Sequence, residues 1–468
     1  MRSRFSREFY LTILAVLVVG AIGLAVLSVL GRPPSDLLYI PRPARLTPEI
    51  ELLREYIRID TSNPPGNELA GAEFLARELR EAGIEAEIIE SAPGRANLHA
   101  RIPGRRRGEG LLLLHHIDVV PAGPEGWTVP PFAADVKRNM VWGRGALDMK
   151  SIGIAHLVAF TELARSGRVP ERDLVLLATA DEEAGGHLGM GWLIRNRPDV
   201  IEGVRYAITE GGITETIANR INYFGIEVGS MLSITLTARS DRREELEHLR
   251  IDLEPWFHVS RPERFLPGVL EYFESVAAHR TEMPELIADV PAAVDKGLFW
   301  KLHAKYRDLT GTSVAAGSIR QAAGGGFEMI VVIRHLPDEE PARPLAWFHR
   351  RFAREGVELE VRSTMEPAPF SSTSTPFFEE IERAVTATYG EVAVGPIVMR
   401  DITTDSRYLR SRGLDSYGFW PFPVDFFQTL GIHGHDERIR LDWFMEGVEM
   451  TRRLVEAWCL PPAPSGAP

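Results

Sequence analysis

Two hydrophobic patterns alternate through residues 47–228. Residues 47–59 (TPEIELLREYIRI) and 70–83 (AGAEFLARELREAG) carry apolar side chains at every third or fourth position, which predicts amphipathic helices. Short apolar runs lie among them and predict strands: 85–90, 111–116 and 173–180. This alternation predicts an α/β fold with helices on the faces of a sheet. In such folds the chemistry takes place in loops beyond the carboxyl ends of the strands.

The pattern changes at residue 229. A strand pattern, a charged stretch, a helix pattern and a second strand pattern follow in turn: 231–240, 241–256, 266–279 and 327–337. We therefore predict a second, α+β domain at 229–336, inserted between two parts of the first domain, 47–228 and 337–460.

Residues 10–30 (YLTILAVLVVGAIGLAVLSVL) contain no charge, and these 21 residues are long enough to cross roughly 30 Å of hydrocarbon as one helix. Signal-peptide cores are shorter and no small-residue cleavage site follows, so we expect an uncleaved transmembrane anchor at 1–31; a cleaved signal peptide is the alternative. Arginines at positions 2, 4 and 7 predict a cytoplasmic N-terminus and an extracytoplasmic catalytic domain, periplasmic or extracellular. A linker (32–46) follows the anchor, and a disordered tail (461–468) ends the chain.

The composition of the chain further limits its possible functions. The 468 residues, 44% hydrophobic and 25% charged, are typical of a globular protein of two or three domains. A net charge of -12 repels phosphate backbones, so we expect no nucleic-acid partner. The single cysteine, Cys459, excludes an intrachain disulfide and a cysteine-rich metal site. A metal site in this chain would have to use His, Asp and Glu.

The segment 111–121 (LLLLHHIDVVP) delivers polar side chains to the end of a predicted buried strand. His116 and Asp118 point to the same side because side chains alternate along a strand. A carboxylate beside a ligating imidazole can fix its tautomer, as in zinc sites. A structural histidine at a strand end is the alternative.

Further acidic and imidazole side chains follow in loops. Asp148 lies between glycines and a predicted helix, where a helix N-cap is the alternative role. Glu182 and Glu183 follow the strand at 173–180 and are costly there unless solvated or bound to cations. Glu210 follows another short strand, and His433 comes late in the chain. Together these oxygen and imidazole donors match a carboxylate-bridged zinc pair, which can stabilise a tetrahedral intermediate.

The order of the motifs resembles the dizinc aminoacylase and carboxypeptidase family, which includes acetylornithine deacetylase, succinyl-diaminopimelate desuccinylase and carboxypeptidase G. The motifs are HxDVVP (116–121), W..PPF (127–132), GRGALDMK (143–150), DEEAGG (181–186), EGG (210–212) and HGHDE (433–437). IDTSNPPGNE (59–68), TDSR (404–407) and YGFWP (417–421) extend the resemblance to about residues 47–457. YGFWP and HGHDE look most like the Gly-Xaa carboxypeptidase and N-fatty-acyl-amino-acid hydrolase branch.

The resemblance implies a catalytic domain with a mixed, mostly parallel sheet flanked by helices, and two zinc ions that cobalt or manganese could replace. It implies Asp148 as the bridging ligand, with His116 and Glu210 on one zinc and Glu183 and His433 on the other. Glu182 would be the general base for a zinc-bound water, and Asp118 would orient His116. His115 and His435 would either support the metal ligands from outside the site or be structural.

The resemblance also implies that the inserted domain is a lid and dimerisation module. His258, in HVSRP (258–262), takes the place of a histidine that stabilises the oxyanion across the dimer, although Phe257 replaces the usual glycine. Gln321, 13 residues before Arg334, takes the place of a substrate-binding asparagine, and Arg334 would form a bidentate pair with a substrate carboxylate. Thr404 is a further substrate-binding candidate. A surface histidine and an exposed strand arginine are the alternatives for His258 and Arg334.

These features predict a membrane-anchored, homodimeric hydrolase that cleaves an amide bond next to a free carboxylate. Its small-molecule substrate would be a short peptide, cut at its C-terminal bond, or an N-acyl amino acid, for which synthesis is also conceivable. Two alternatives remain: a catalytically silent dimeric binding module of the same fold, and an esterase or lactonase using the same zinc pair.

Overall fold

The computed structural model describes residues 45–460 apart from 124, 213, 218–219, 280–286 and 288. The predicted anchor (1–31), most of the linker (32–46) and the predicted tail (461–468) lie outside the described residues. Within the described ranges, no helix combines the length and the apolar character needed to cross a membrane.

Helices and strands alternate along most of the chain, as the hydrophobic pattern predicted. The α-helices are α1 (Pro48–Arg58), α2 (Glu68–Glu81), α3 (Lys150–Arg165), α4 (Met190–Asn196), α5 (Arg243–Leu253), α6 (Pro267–His279), α7 (Val290–Asp295), α8 (Ala304–Arg307), α9 (Ala342–Phe352), α10 (Pro376–Tyr389), α11 (Ser406–Arg410), α12 (Phe426–Thr429) and α13 (Leu441–Cys459). The strands are β1 (Ala86–Ala92), β2 (Arg95–Ile102), β3 (Arg106–His116), β4 (Asp135–Lys137), β5 (Met140–Trp142), β6 (Arg172–Thr179), β7 (Val204–Thr209), β8 (Thr214–Ile217), β9 (Arg220–Ser230), β10 (Leu232–Ser240), β11 (Ser313–Ala316), β12 (Arg320–Gln321), β13 (Phe327–His335), β14 (Glu358–Ser363), β15 (Val394–Met399), β16 (Asp415–Gly418), β17 (Val424–Asp425) and β18 (Arg438–Arg440).

In the described part of the chain, ten strands form a large sheet in the order β1-β2-β6-β3-β7-β16-β9-β8-β17, and β15 pairs with β9. β3 runs parallel to both β6 and β7, and β16 runs parallel to β7. β2 pairs antiparallel with β6, and β1 pairs antiparallel with β2, so these two strands extend the sheet beyond its parallel centre. The sheet is therefore mixed and mostly parallel, as predicted.

Alternate residues of the central strands enter two different cores. Leu111 and Leu113 of β3 belong to the core that contains α3 and α13, whereas Leu112 and Leu114 belong to a second core with α4. Both faces of β3 are thus covered by helices, which explains why its apolar run is continuous rather than alternating. This central position fixes the end of β3, where His116 and Asp118 lie.

A second sheet contains β11, β13, β10 and β14 in that order, with β12 paired to β13. The prediction ended the inserted domain at residue 336, but the second sheet extends beyond this residue. β14 pairs antiparallel with β10, and α9 packs its Phe348 and Phe352 into the same small core as Ile333 of β13. The second sheet therefore continues to Ser363. β14 is identified by its pairing with β10 rather than by a hydrophobic pattern of its own.

The middle of the predicted insert packs elsewhere. Val269 and Phe273 of α6, and Tyr306 of α8, belong to the large core rather than to the small one. The charged stretch 241–256, to which no secondary structure was assigned, forms α5 and packs Leu246 and Leu249 on the second sheet. α6 thus packs against β9 and β15 of the large sheet, whereas α5 and α9 cover the second sheet.

Candidate metal centre and active site

The ends of three parallel strands carry three of the candidate ligands, His116, Glu183 and Glu210, to one edge of the large sheet. In β3, β6 and β7, His116 lies opposite Thr179 and Leu113 lies opposite Ile208. His116 is the last residue of β3, and the loops that carry Glu182–Ala184 and Glu210 follow β6 and β7. These loops lie at the carboxyl ends of their strands, the edge at which sites form in sheets of this class.

Asp148 lies between two histidines. Its Oδ1 is 3.0 Å from His116 Nε2, and its Oδ2 is 3.0 Å from His433 Nε2. Glu210 Oε1 lies 3.5 Å from His116 Nε2, and Glu183 Oε2 lies 3.0 Å from His433 Nε2. Two groups result, with Asp148 in both, and within each group the ligand atoms lie within 4.8 Å of one another. The structure thus brings together all five side chains that the sequence predicted as metal ligands.

Acidic groups outnumber imidazoles at this centre. Burial, followed by the charge of Asp148, raises the pKa of Glu210 to about 8. Burial and the charge of Glu210 hold the pKa of Glu182 well above its ordinary value. Hydrogen bonds with Asp148 and Glu183 raise the pKa of His433 to about 10. Crowded carboxylates of this kind favour protons or a bound cation, and a divalent metal would supply the missing positive charge.

Asp118 holds the loop that follows β6. Its Oδ1 accepts a hydrogen bond from the Glu182 N–H (3.1 Å), and its Oδ2 accepts one from the Glu183 N–H (3.2 Å). His116 Nδ1 lies 2.8 Å from the main-chain oxygen of Asp118 and 3.6 Å from Asp118 Oδ1. Asp118 therefore contacts His116 mainly through its main chain, and its carboxylate positions the two glutamates.

Glu437 was assigned no role from the sequence, yet its side chain is fully buried and contacts the loop that carries Asp148. Its Oε1 accepts hydrogen bonds from the N–H groups of Leu147 (2.7 Å) and Asp148 (2.9 Å). Its Oε2 accepts from the Gly145 N–H (3.0 Å) and from Arg144 Nη1 (2.6 Å). Glu437 therefore fixes the loop that carries Asp148, and its place in the HGHDE motif was the one sequence signal for it.

A second buried network supports the other side of the site. Asn63 Nδ2 donates to Asp118 Oδ2 (2.9 Å) and to Asp181 Oδ1 (3.2 Å). Arg95 Nη2 donates to Asp181 Oδ1 (2.9 Å) and to the buried Glu68 Oε1 (2.6 Å). Asp181 adopts the left-handed conformation, with φ of 68°, just before the two glutamates. The segment IDTSNPPGNE (59–68), one of the motifs of the family resemblance, supplies Asn63 and Glu68.

His258 and Arg334 belong to one connected series of ion pairs. His258 Nδ1 and Arg400 Nη1 each lie 2.7 Å from Asp308 Oδ2. Arg400 Nε donates to Asp401 Oδ2 (2.7 Å), and Arg334 Nε lies 2.5 Å from Asp401 Oδ1. Among the described residues, neither His258 nor Arg334 forms an ion pair or hydrogen bond with a predicted metal ligand. The structure connects these two predicted residues through this series of ion pairs, and each of them has an acidic partner.

The positions of Gln321 and Thr404 differ from those expected for residues of the predicted substrate site. Gln321 is exposed and pairs with Phe327 at the start of β13, whereas Arg334 lies near the end of that strand. The intervening strand separates them by roughly 23 Å, so the two residues do not share a site within one chain. The spacing of the two residues in sequence did not predict their separation in the structure, because β12 folds back along β13. Thr404 is buried, and its Oγ1 accepts a hydrogen bond from the Ser406 N–H (3.3 Å) at the start of α11.

The two remaining histidines have aromatic neighbours. His115 is fully buried, with its ring centroid 6.3 Å from that of Tyr56 and 6.2 Å from that of His156. The ring of His435 lies 6.1 Å from that of Trp127 in an edge-on arrangement. Both histidines are therefore in contact with aromatic rings rather than among the five candidate ligands.

The sequence profile of the peptidase family M20/M25/M40 matches residues 112–457, and the chain belongs to this family. Aminoacylase-1 from Sus scrofa is 26% identical over 430 residues, which cover 89% of this chain and 96% of the relative. The N-fatty-acyl-amino acid synthase/hydrolase from Mus musculus is 23% identical over 383 residues, covering 74% of this chain and 73% of the relative.

Solved structures of the same fold extend over most of the chain. An M20 family metallo-carboxypeptidase from Sulfolobus solfataricus superimposes with a TM-score of 0.67 at 17% identity, covering 88% of this chain and 99% of its own. Human carnosine dipeptidase 1 superimposes with a TM-score of 0.64 at 14% identity, covering 87% and 94%. The family membership and the aminoacylase relatives together make this protein a hydrolytic enzyme that acts on amide bonds.

Proposed function

We propose that the protein is a two-zinc hydrolase that cleaves an amide bond next to a free carboxylate, either the C-terminal bond of a short peptide or the amide of an N-acyl amino acid. One observation carries this proposal. The Asp148 carboxylate has one oxygen 3.0 Å from His116 and the other 3.0 Å from His433, and each histidine has its own glutamate. A bridging aspartate with two separate sets of ligands suits a pair of metal ions better than a single ion.

The donor set fits zinc. Imidazole and carboxylate donors without thiolates suit zinc, and also cobalt or manganese as substitutes. Glu183 Oε1 is buried without a hydrogen-bond partner among the described residues, so one donor atom of the second group still needs a cation or a proton. Zinc ions held by these five side chains would polarise the scissile carbonyl and stabilise negative charge on its oxygen.

Glu182 is the general base in this proposal. Its neighbour Glu183 reaches His433, whereas the charges that act most strongly on Glu182 are those of Glu210, His116 and Asp405. The Glu182 carboxylate takes a proton from the attacking water and later gives it to the leaving nitrogen. The Asp118 carboxylate accepts a hydrogen bond from the Glu182 N–H (3.1 Å) and so keeps this base in place.

Arg334 and His258 are the substrate-facing residues of the proposal. A guanidinium can pair with a substrate carboxylate, and Arg334 Nη1 is buried without a hydrogen-bond partner in the described residues. His258 uses Nδ1 on Asp308, which leaves Nε2 to donate to an oxyanion. In the family resemblance this histidine acts across a dimer, so we also propose a homodimer. Light scattering of the purified protein tests that proposal.

The proposed location follows from the N-terminal sequence. Residues 10–30 would anchor the enzyme in the membrane, with the catalytic domain on the extracytoplasmic side. Accessibility of a C-terminal tag to protease in intact cells, compared with lysed cells, tests this topology.

A substrate panel on protein of measured metal content tests the function. The panel contains N-acetyl and N-fatty-acyl amino acids, dipeptides, and esters of the same acids. We expect zinc-dependent turnover of at least one amide class, and its loss in Glu182→Gln with the zinc retained. Absence of amide turnover at full zinc content would contradict the proposal and favour a silent binding module. Turnover of the esters alone would favour an esterase.

A further inference from the structure

Arg334, the proposed partner of the substrate carboxylate, already has a carboxylate partner within the chain. Its Nε lies 2.5 Å from Asp401 Oδ1, and the two side chains are 15% and 46% exposed respectively. Arg334 lies on β13 with Ile333 and His335 buried on either side, so its side chain leaves the sheet on the face opposite the small core. The pair thus joins the second sheet to the loop that follows β15.

Asp401 has a second cationic partner. Arg400 Nε donates to Asp401 Oδ2 (2.7 Å), while Arg400 Nη1 donates to the fully buried Asp308 (2.7 Å). Because Asp308 holds Arg400, the Asp401 carboxylate would stay paired if Arg334 were withdrawn from it. Exchange of partners at Arg334 therefore leaves no unpaired buried charge, which is the usual large cost of breaking such a pair.

The accessibility of the two partners is unequal. Asp401 is about half-exposed and can move toward solvent, whereas Arg334 is mostly enclosed. Arg334 Nη1 is buried and has no acceptor among the described residues, so Asp401 satisfies only part of the guanidinium. A carboxylate that reached two of its N–H groups would be a better partner than Asp401 is.

We propose that Asp401 is a specificity-determining residue: it occupies Arg334 in the absence of substrate and yields it to the carboxylate of an incoming substrate, while remaining paired with Arg400. This inference rests on the proposed role of Arg334. An anionic substrate must displace Asp401 from Arg334, whereas a neutral substrate leaves that ion pair in place. Asp401 thereby weakens the binding of substrates with a free carboxylate and sets how strongly they are preferred over neutral ones.

The test measures binding to the zinc-loaded Glu182→Gln protein by calorimetry, so that turnover does not interfere. The probes are N-acetyl-L-methionine and its neutral analogue N-acetyl-L-methioninamide. In an added Asp401→Asn substitution we expect the acid to bind about three- to tenfold more tightly and the amide to bind unchanged. With Arg334→Ala present, Asp401→Asn should no longer affect binding of the acid.

Asp199→Asn is the matched control, because Asp199 is also a half-exposed aspartate paired with an arginine, Arg197, at 2.8 Å. It should change neither affinity. Unchanged or weaker binding of the acid in Asp401→Asn would overturn the inference, as would equal tightening of acid and amide. If the wild-type enzyme turns over no amide but Asp401→Asn still tightens the acid, the proposed function fails and the carboxylate site stands. If turnover is found but the acid affinity does not respond, only the role of Asp401 fails.

Discussion

Glu437 Oε1 lies 2.9 Å from the main-chain nitrogen of Asp148, although 289 positions separate the two residues in sequence. The same carboxylate accepts from two further main-chain N–H groups and from Arg144. A late segment of the chain thus fixes the loop that carries the shared aspartate, and the neighbouring His433 comes from that same late segment. The hydrogen bonds of Glu437 therefore link the segment that supplies His433 to the loop that supplies Asp148.

Replacing Glu437 should disturb the metal centre without removing a ligand. Glu437→Ala leaves the guanidinium of Arg144 buried and unpaired, which we expect to lower the free energy of unfolding by about 3–5 kcal/mol and to weaken zinc binding. Denaturant unfolding and zinc titration measure both effects. Glu51→Ala, which breaks the partly exposed pair with Arg54, should cost about 1 kcal/mol or less. Equal effects of the two substitutions would contradict the role given to Glu437.

Removal of metal should lower the melting temperature. A ligand that binds only the folded state adds about 2.7 kcal/mol when its free concentration is a hundred times Kd. We expect chelation to lower Tm and added zinc to restore it in the wild type. Glu183→Gln should lose most of this response, because it removes a proposed ligand. Exposed Glu85→Gln should keep it, and an equal response of all three proteins would argue against the proposed ligand set.

Arg334→Ala should act on binding rather than on chemistry. Loss of a charge-assisted pair is expected to raise KM for substrates with a free carboxylate by about tenfold to a hundredfold, with little change in kcat. Steady-state kinetics with an acid and the corresponding C-terminal amide separate the effects, since KM for the amide should hardly change. A KM that is the same as in the wild type for the acid would reject this assignment.

His258→Asn should act on kcat. Removal of one donor to a developing oxyanion costs on the order of 10²-fold in kcat, while KM changes little. Asp308 is fully buried beside this ring, so circular dichroism and Tm must first show an intact fold. A rate that does not respond to the substitution would return His258 to the role of a surface histidine.

The sequence predicted the cluster of candidate ligands better than its surroundings, and for three of them the reason is local. His116 ends a buried strand, and Glu183 and Glu210 each follow one, so the hydrophobic pattern marks their positions, whereas Asp148 and His433 were found through their motifs. Glu437 has no such mark, because its partners are main-chain N–H groups of a loop far away in sequence. Long-range hydrogen bonds of this kind require the fold.

The second sheet shows the same limit. α5 was missed although Leu246, Leu249 and Leu253 recur at helical spacing, because the charges around them dominated the pattern. β14 has mostly exposed or half-buried side chains and is recognisable only through its pairing with β10. The distance between Gln321 and Arg334 likewise depends on a hairpin, which residue spacing alone does not reveal.

Anomalous diffraction at the zinc edge, from crystals of the zinc-loaded enzyme, tests the central claim most directly. The account predicts two peaks roughly 3.5–4 Å apart on either side of the Asp148 carboxylate. One peak should lie beside His116 and Glu210, and the other beside Glu183 and His433. No zinc peak near Asp148, or zinc bound only at other side chains, would contradict it.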